Sequence, residues 1–443
     1  MALSAGVVWE VRPSAGSNTA CSGGFDNTVS SPGTDYSQQN AAQFSGTAGT
    51  AVGTTTFSDS GHAFTSADVG NVIQITSGSG FTAGFYTILS ETAGTATLDR
   101  SPGTGTAAHW YLGGAIATIQ ELITGPIAVA QNTIYIKASG TITLTSGIDL
   151  SAAGFPDQCS FIGYTSTRTD GGQVTITTTT NSVTLFILAS NNIVFQNISF
   201  TNTAGTSSYG LYSSSNSPQV VTCINCAFSG FTRAIYVACY YLKLFNCSFT
   251  SCTDTLATIW FEGLGGASFS AFVYGCYIHG NSSSAGIYLG AAGTCSTLTC
   301  VSSVFQSNTY GIYNSVDGNP GSGGSIHIEC INCAFVSNSS DGIRNYGGGT
   351  NYAQVVDLIN CIFYNNGGYG INQKVLSVLC KGYANAYYNN TNGARNDYPT
   401  FATDVTLTAD PFTNDAGGVF TLNTTAGGGA ACKAAGFQST LLG

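Results

Sequence analysis

Residues 326–338, IHIECINCAFVSN, and residues 354–366, QVVDLINCIFYNN, repeat one pattern at a spacing of 28 positions. Each ends on a large apolar anchor, Phe335 or Phe363, followed by polar residues. Seven, five and two residues before the anchor stand apolar or small residues: Ile328, Cys330 and Cys333 in the first, Val356, Leu358 and Cys361 in the second. Three residues before it stands Asn332 or Asn360. Offsets −7 and −5 share a parity, as do −2 and 0, so each pair points to one face of a strand. The parity breaks between them, where the backbone must bend, and asparagine tolerates bend conformations while bonding to neighbouring backbone.

The same pattern occurs eight times between Asn192 and Asn390. Its anchors are Phe200, Phe228, Phe249, Ile278, Phe305, Phe335, Phe363 and Tyr388, with 21 to 30 residues between consecutive copies. In the eighth copy the −7 position holds a polar exception, Lys381. Asparagine recurs three residues after the anchor (Asn281, Asn308, Asn338, Asn366). A small residue and an aliphatic then open a third strand, as in Gly286-Ile287, Gly311-Ile312 and Gly342-Ile343. Three short strands per repeat at this period predict an all-β fold, a right-handed parallel β-helix whose coils stack their interiors into ladders.

Only 7% of the 443 residues are charged, against about 25% in ordinary domains. Apolar content of 43% is nevertheless enough for an interior. A net charge of −10 with no basic run argues against phosphate-backbone binding, so no nucleic-acid partner is expected. No apolar run is long enough to span a bilayer, and no membrane partner is expected. Most of the 15 cysteines occupy offsets that other copies fill with Ile, Leu, Val, Phe or Ala, and they read as small interior hydrophobes. The opening MALSAGVVWEVR has neither a basic n-region nor a long apolar h-region, so no secretory signal is expected.

Residues 1–33 form an entry strand (Val7 to Val11) and a Gly/Ser/Asn-rich loop, VVWEVRPSAGSNTACSGGFD. Residues 34–114 read as a small β-domain insert with strands at Val72 to Ile75, Phe85 to Leu89 and Thr95 to Leu98. Ile116, Ile119, Leu122 and Ile123 recur at helical spacing up to Pro126, predicting a short capping helix before strands at Thr133 to Lys137 and Thr141 to Leu144. The β-helix is assigned to 115–400 and a closing coil to 401–443, where LTADPFTNDAGGVFTLNTTAGGGAACKAAG stands.

The entry segment, the eight copies and the closing segment resemble those of right-handed parallel β-helix repeat proteins. The insert resembles inserts of bacteriophage virion proteins. That family includes polysaccharide lyases, hydrolases, and phage tailspikes and fibres, so the fold does not select the function. Resemblance to spikes implies a homotrimer. It also implies attachment to other virion proteins through residues 1–114 and recognition of host surface polysaccharide.

Offset −6 should point outward, and it places Glu329 and Asp357 on adjacent coils about 5 Å apart. That is near the separation of the two carboxylates of retaining glycosidases. Two solvated acids on an exposed ladder are the favoured reading of the same residues. Tyr236, Tyr240, Tyr241, Trp260 and Tyr274 suit a sugar platform or a subunit contact, since both uses favour amphipathic rings. The two CINC motifs, Cys223–Cys226 and Cys330–Cys333, lie four coils or about 19 Å apart, far beyond zinc bonding. The four histidines share no offset. No metal site and no cofactor are expected.

The reading is therefore a structural protein of a bacteriophage-like virion: a tail fibre, tailspike or capsid-attached spike, assembled in the host cytoplasm and released with the particle. A polysaccharide-degrading enzyme using Glu329 and Asp357 is the alternative. A cell-surface adhesin, without export signal or anchor, is the third.

Overall fold

The computed structural model describes residues 3, 6–124, 132–150, 158–188, 192–205, 208–213, 220–261, 269–290, 295–315, 325–346, 354–373 and 380–437. The chain is a parallel β-helix with three short strands to a coil, wound in the right-handed sense that parallel crossovers take. It divides into two compact units. One comprises Met1–Ile142, Ile148–Ile176 and Ser190–Ile198, the other Thr143–Gly147, Thr177–Ala189 and Ser199–Gly443.

In the first unit the entry strand Val7–Val11 pairs in parallel with Asn132–Lys137, which pairs with Gln158–Tyr164 and that with Asn192–Gln196. Trp9 and Val11 face inward with Ile134 and Ile136, and Glu10 faces outward. Glu10 is nonetheless fully buried. It accepts from Arg12 Nε at 3.0 Å, from Arg168 Nε at 3.0 Å and from the Tyr164 hydroxyl. Arg168 continues to Asp35 at 2.8 Å and Ser37 at 3.0 Å, its guanidinium lying over the Tyr135 ring. Burial and the nearby Glu10 carboxylate push the Tyr164 phenol up, so it stays a donor.

The insert is a closed six-stranded barrel, in the order Phe44–Val52, Thr56–Asp59, Thr95–Leu98, Gly84–Thr92, Val72–Ser77 and Thr104–Leu112. Closure removes its edges. The sequence pattern finds three of these strands and misses the other three, whose Gly, Ser and Thr break the apolar alternation. Trp110 fills the centre among Phe57, Phe64 and Phe44, its indole N–H donating to Asp59 at 2.8 Å. The capping helix is short, Ile119–Thr124, with Ile119 and Leu122 buried; Pro126 lies outside the described residues.

In the second unit the anchors form one inward column, Phe200, Phe228, Phe249, Ile278, Phe305, Phe335 and Phe363, in direct register. Phe305, Phe335 and Phe363 stack with centroids 4.9 Å apart and planes within 6°. This is the strand spacing itself, so each ring sits at van der Waals distance from the next. The expected bend is present: Asn225, Asn246, Gly275, Ser302, Asn332 and Asn360 all have φ between 48° and 62°. From Phe228 onward a second left-handed residue follows each anchor by two positions, among them Ser251, Ser307, Ser337 and Asn365. Beyond it Asn281, Asn308, Asn338, Asn366 and Asn390 form a buried amide ladder, each Nδ2 donating to the next Oδ1 at 2.7–3.3 Å. Glycine opens the third strand because a Cβ on Gly311 would lie 2.5 Å from the Phe335 ring.

The eighth copy is displaced by one residue from the sequence alignment. Phe363 pairs with Tyr387, not Tyr388, and the left-handed residue is Ala384, not Asn385. With Tyr388 as the anchor, Asn385 falls at the bend offset; in the structure its side chain accepts from Cys361 N at 3.0 Å instead. A slip of one exchanges the two faces. Lys381, the polar exception of the inward column, is thus an exposed outward residue paired with Asp357.

Among residues 401–437, Val405–Thr406 adds a strand to the second sheet. The hairpin of Phe412–Asn414 and Val419–Leu422 and the helix Gly429–Ala434 lie on the outside of that sheet. There Phe412, Phe420, Leu422 and Cys432 cover the outward residues Val304, Ala334, Val336 and Ile362. Gln306 Nε2 ties this segment down by donating to Asp415 O at 2.7 Å.

Candidate binding faces and the acidic ladder

The first sheet of the second unit presents an outward column of Thr222, Lys243, Phe272, Thr299, Glu329, Asp357 and Lys381 in direct register. Glu329 and Asp357 are neighbours, as the spacing predicts. Their environments differ. Asp357 is only 6% exposed, its Oδ2 facing His327 Nε2 at 3.1 Å and its Oδ1 accepting from Lys381 N at 2.9 Å. The Tyr398 hydroxyl donates to the carbonyls of Val356 and Lys381 at 3.2 Å, holding the strands on either side. Glu329 is half-buried with the Thr299 hydroxyl 3.4 Å from one oxygen. A retaining glycosidase needs a nucleophilic carboxylate open to the sugar. Asp357 is instead an acid that orients the His327 ring, a partner the sequence pattern missed because His327 sits two residues before Glu329 on the same face. Arg344 and Asp341 stand elsewhere, paired at 2.9 Å. Among the described residues no group of three His, Cys, Asp or Glu side chains is placed to hold a metal ion.

The five aromatic candidates separate onto two faces. Tyr241 and Tyr274 belong to the first sheet, where they are 51% and 43% exposed, and Tyr240 is the exposed residue just before that strand. Tyr274 belongs to a second outward column on this sheet, Ile224, Phe245, Tyr274, Val301, Ile331, Ile359 and Tyr383, apolar on every coil, and Tyr241 lies on the far side of the Lys243 column from it. Tyr236 and Trp260 belong to the third sheet, in an outward column Tyr212, Tyr236, Trp260, Tyr288, Tyr313, Arg344. These residues are half-buried, with ring centroids 4.7–5.5 Å apart along the column. Arg233 lies 4.1 Å over the Trp260 ring and pairs with Asp254. Arg344 lies 4.5 Å over both Tyr310 and Tyr346 and pairs with Asp341. Both guanidiniums are therefore neutralised, and the stripe offers half-buried rings and tyrosine hydroxyls rather than free charge, with Trp260 Nε1 buried. Its signal is present in the sequence: an aromatic follows the aliphatic of the third strand in Leu211-Tyr212, Ile235-Tyr236, Ile259-Trp260, Ile287-Tyr288 and Ile312-Tyr313.

Fourteen cysteines have described side chains; none of them is in a disulfide, and all but Cys380 are buried. Both CINC pairs face the interior, Cys333 Sγ donating to Cys300 O at 3.4 Å and Cys361 Sγ to Cys330 O at 3.2 Å. Burial pushes the Cys239, Cys252 and Cys432 thiols up to about 12. Thiolate is the reactive form, so a disulfide reagent at neutral pH is expected to modify the native protein slowly, Cys380 first. Complete labelling is expected only in denaturant. Rapid labelling of many thiols in the native state would contradict the inward register.

No family model matches the chain, and no curated protein matches it. Three solved structures are similar in winding. The crystal structure of pectate lyase Pel9A has 12% identity and a TM-score of 0.43, over 68% of this chain and 79% of that one. The catalytic domain of a GH87 α-1,3-glucanase, solved with tetrasaccharides, has 12% identity and a TM-score of 0.33, over 82% and 89%. The tailspike protein gp49 from Pseudomonas phage LKA1 has 11% identity and a TM-score of 0.27, over 82% and 66%. At these values the likenesses say nothing of what this chain binds.

Proposed function

We propose that the protein is a structural β-helix of a bacteriophage-like virion, a spike or fibre component that holds surface polysaccharide along its third sheet. The observation that carries the binding reading is the stripe from Tyr212 to Tyr313: five rings in register, half-buried, flanked by charge-neutralised arginines. Rings recur about every 4.8 Å along the stack, a spacing comparable with one sugar residue of an extended glycan. Amphipathic rings present apolar faces to sugar C–H groups while their polar edges accept hydroxyls. The low charge of the whole chain and the 6% exposure of Asp357, the acid paired with Glu329, support holding over cutting.

Affinity electrophoresis against bacterial surface polysaccharides tests this. A retarded wild type is expected, with Trp260→Ala costing ~2 kcal/mol, about thirty-fold in affinity. Little salt dependence is expected, because both arginines are paired. Equal mobility of wild type and variant on every polysaccharide would refute it.

The second reading, cleavage at Glu329 and Asp357, draws on their pairing on adjacent strands and on the His327–Asp357 contact. On the first reading the polysaccharide is recovered uncut. New reducing or unsaturated ends that disappear in Glu329→Gln would establish the second.

A further inference from the structure

The coil after the eighth copy begins but does not close. Val405–Thr406 continues the second sheet. After Leu407 the chain turns to the segment on the outer face, Thr408 N donating to Gly427 O at 2.9 Å. The corner beneath Asn390 is thus left open, and a cavity of about 240 Å³ stands there, lined by Tyr387, Tyr388, Asn390, Ala394, Arg395 and Leu407, with Thr406 beside them.

Two features of its wall point to a ligand. On the coils above, one side-chain amide oxygen takes two bonds from the rung before it. Asn338 Oδ1 accepts from Asn308 N and Nδ2, Asn366 Oδ1 from Asn338 N and Nδ2, and Asn390 Oδ1 from Asn366 N and Nδ2, all at 2.7–3.3 Å. Asn390 carries the same two donors. Its Nδ2 uses one hydrogen on Phe363 O at 3.0 Å, and among the described residues the ladder has no rung below it. The second feature is Tyr387, only 4% exposed, whose hydroxyl is buried without a hydrogen-bond partner.

We propose that this cavity binds a small ligand through a carboxamide group. The ligand's carbonyl oxygen takes the place that Oδ1 holds on each coil above, its two lone pairs accepting from Asn390 N and Nδ2. The Tyr387 hydroxyl, donor and acceptor at once, serves the amide N–H, and Ala394 and Leu407 supply apolar wall for the carbon substituent. Arg395 is held by Asp404 and Pro399 O, so no free cation selects a carboxylate instead. The volume falls below the roughly 300–1,000 Å³ of drug-sized sites and suits one compact group. The acetamido group of an N-acetylated amino sugar and the side-chain amide of glutamine share this chemistry.

The site is separate from the third-sheet stripe and does not depend on saccharide binding there. Saturation-transfer NMR on the full chain tests it with N-acetylglucosamine, glutamine and glucose as probes. Saturation is expected on the acetamido methyl, on the glutamine side chain or on both, which names the source, and none on glucose. Tyr387→Phe keeps the ring stacked on Phe363 and is expected to weaken binding roughly two- to ten-fold, the value of one neutral hydrogen bond. Thr406→Phe, at an exposed position of the wall, is expected to abolish binding by filling the cavity. Trp260→Ala is expected to leave the signals unchanged. The proposal is overturned if neither amide is saturated at millimolar concentration, which leaves the cavity to solvent, or if glucose responds equally. It is overturned too if either cavity variant binds as the wild type does, or if Trp260→Ala alone removes the signal, which places the sugar on the third sheet.

Discussion

Glu10→Ala is expected to destabilise the first unit by about 3–5 kcal/mol, the range for breaking a buried ion pair by removing one partner. Glu10 is fully buried and is the acid on which Arg12, Arg168 and the Tyr164 hydroxyl converge. Its removal leaves Arg12 with Asn40 and Tyr164 as polar partners and Arg168 with Asp35 and Ser37. Domains are stable by only about 5–15 kcal/mol, so the loss is a large part of the total. Urea unfolding followed by Trp9 and Trp110 fluorescence would show an early transition. The idea fails if the midpoint moves by the equivalent of less than about 1 kcal/mol, the value of an exposed pair.

Phe335→Ala is the second large effect, placed in the other unit. Phe335 is 0% exposed and stacked between Phe305 and Phe363. Replacing a buried phenylalanine by alanine costs about 3–5 kcal/mol through lost transfer energy and the cavity left behind. Because each coil touches only its neighbours, the damage should be local. Hydrogen exchange is expected to speed in the coils of Phe305, Phe335 and Phe363 and to stay slow near Phe228. Uniform acceleration along the stack would show that the coils unfold together and would defeat the local picture. Phe335→Leu, which keeps most of the volume, should lose much less.

The winding was legible because its signals are local. Parity breaks at Asn225, Asn246, Asn332 and Asn360, and each break is a left-handed residue in the structure. The bend two residues after the anchors from Phe228 onward was not legible, since serine, glycine and asparagine there look like ordinary loop residues. The eighth copy misled because Asn385 serves a hydrogen bond rather than the bend. The covering of the second sheet by Phe412 and Phe420 was also hidden, because Gln306 meets Asp415 across 109 residues of chain. Of the candidate residues, Glu329 and Asp357 were paired correctly, but nothing in their spacing told that His327 and Lys381 occupy both oxygens of Asp357. The aromatic candidates were gathered by exposure, and register is what sorted them onto two sheets.

The amide ladder from Asn281 to Asn390 has an implication for size. Every rung repeats the same donor and acceptor, so a whole rung can be gained or lost and the two cut ends still match, as identical links rejoin in a chain. Reach would then be a heritable quantity adjustable in steps of about 4.8 Å, while the parts at either terminus stay as they are.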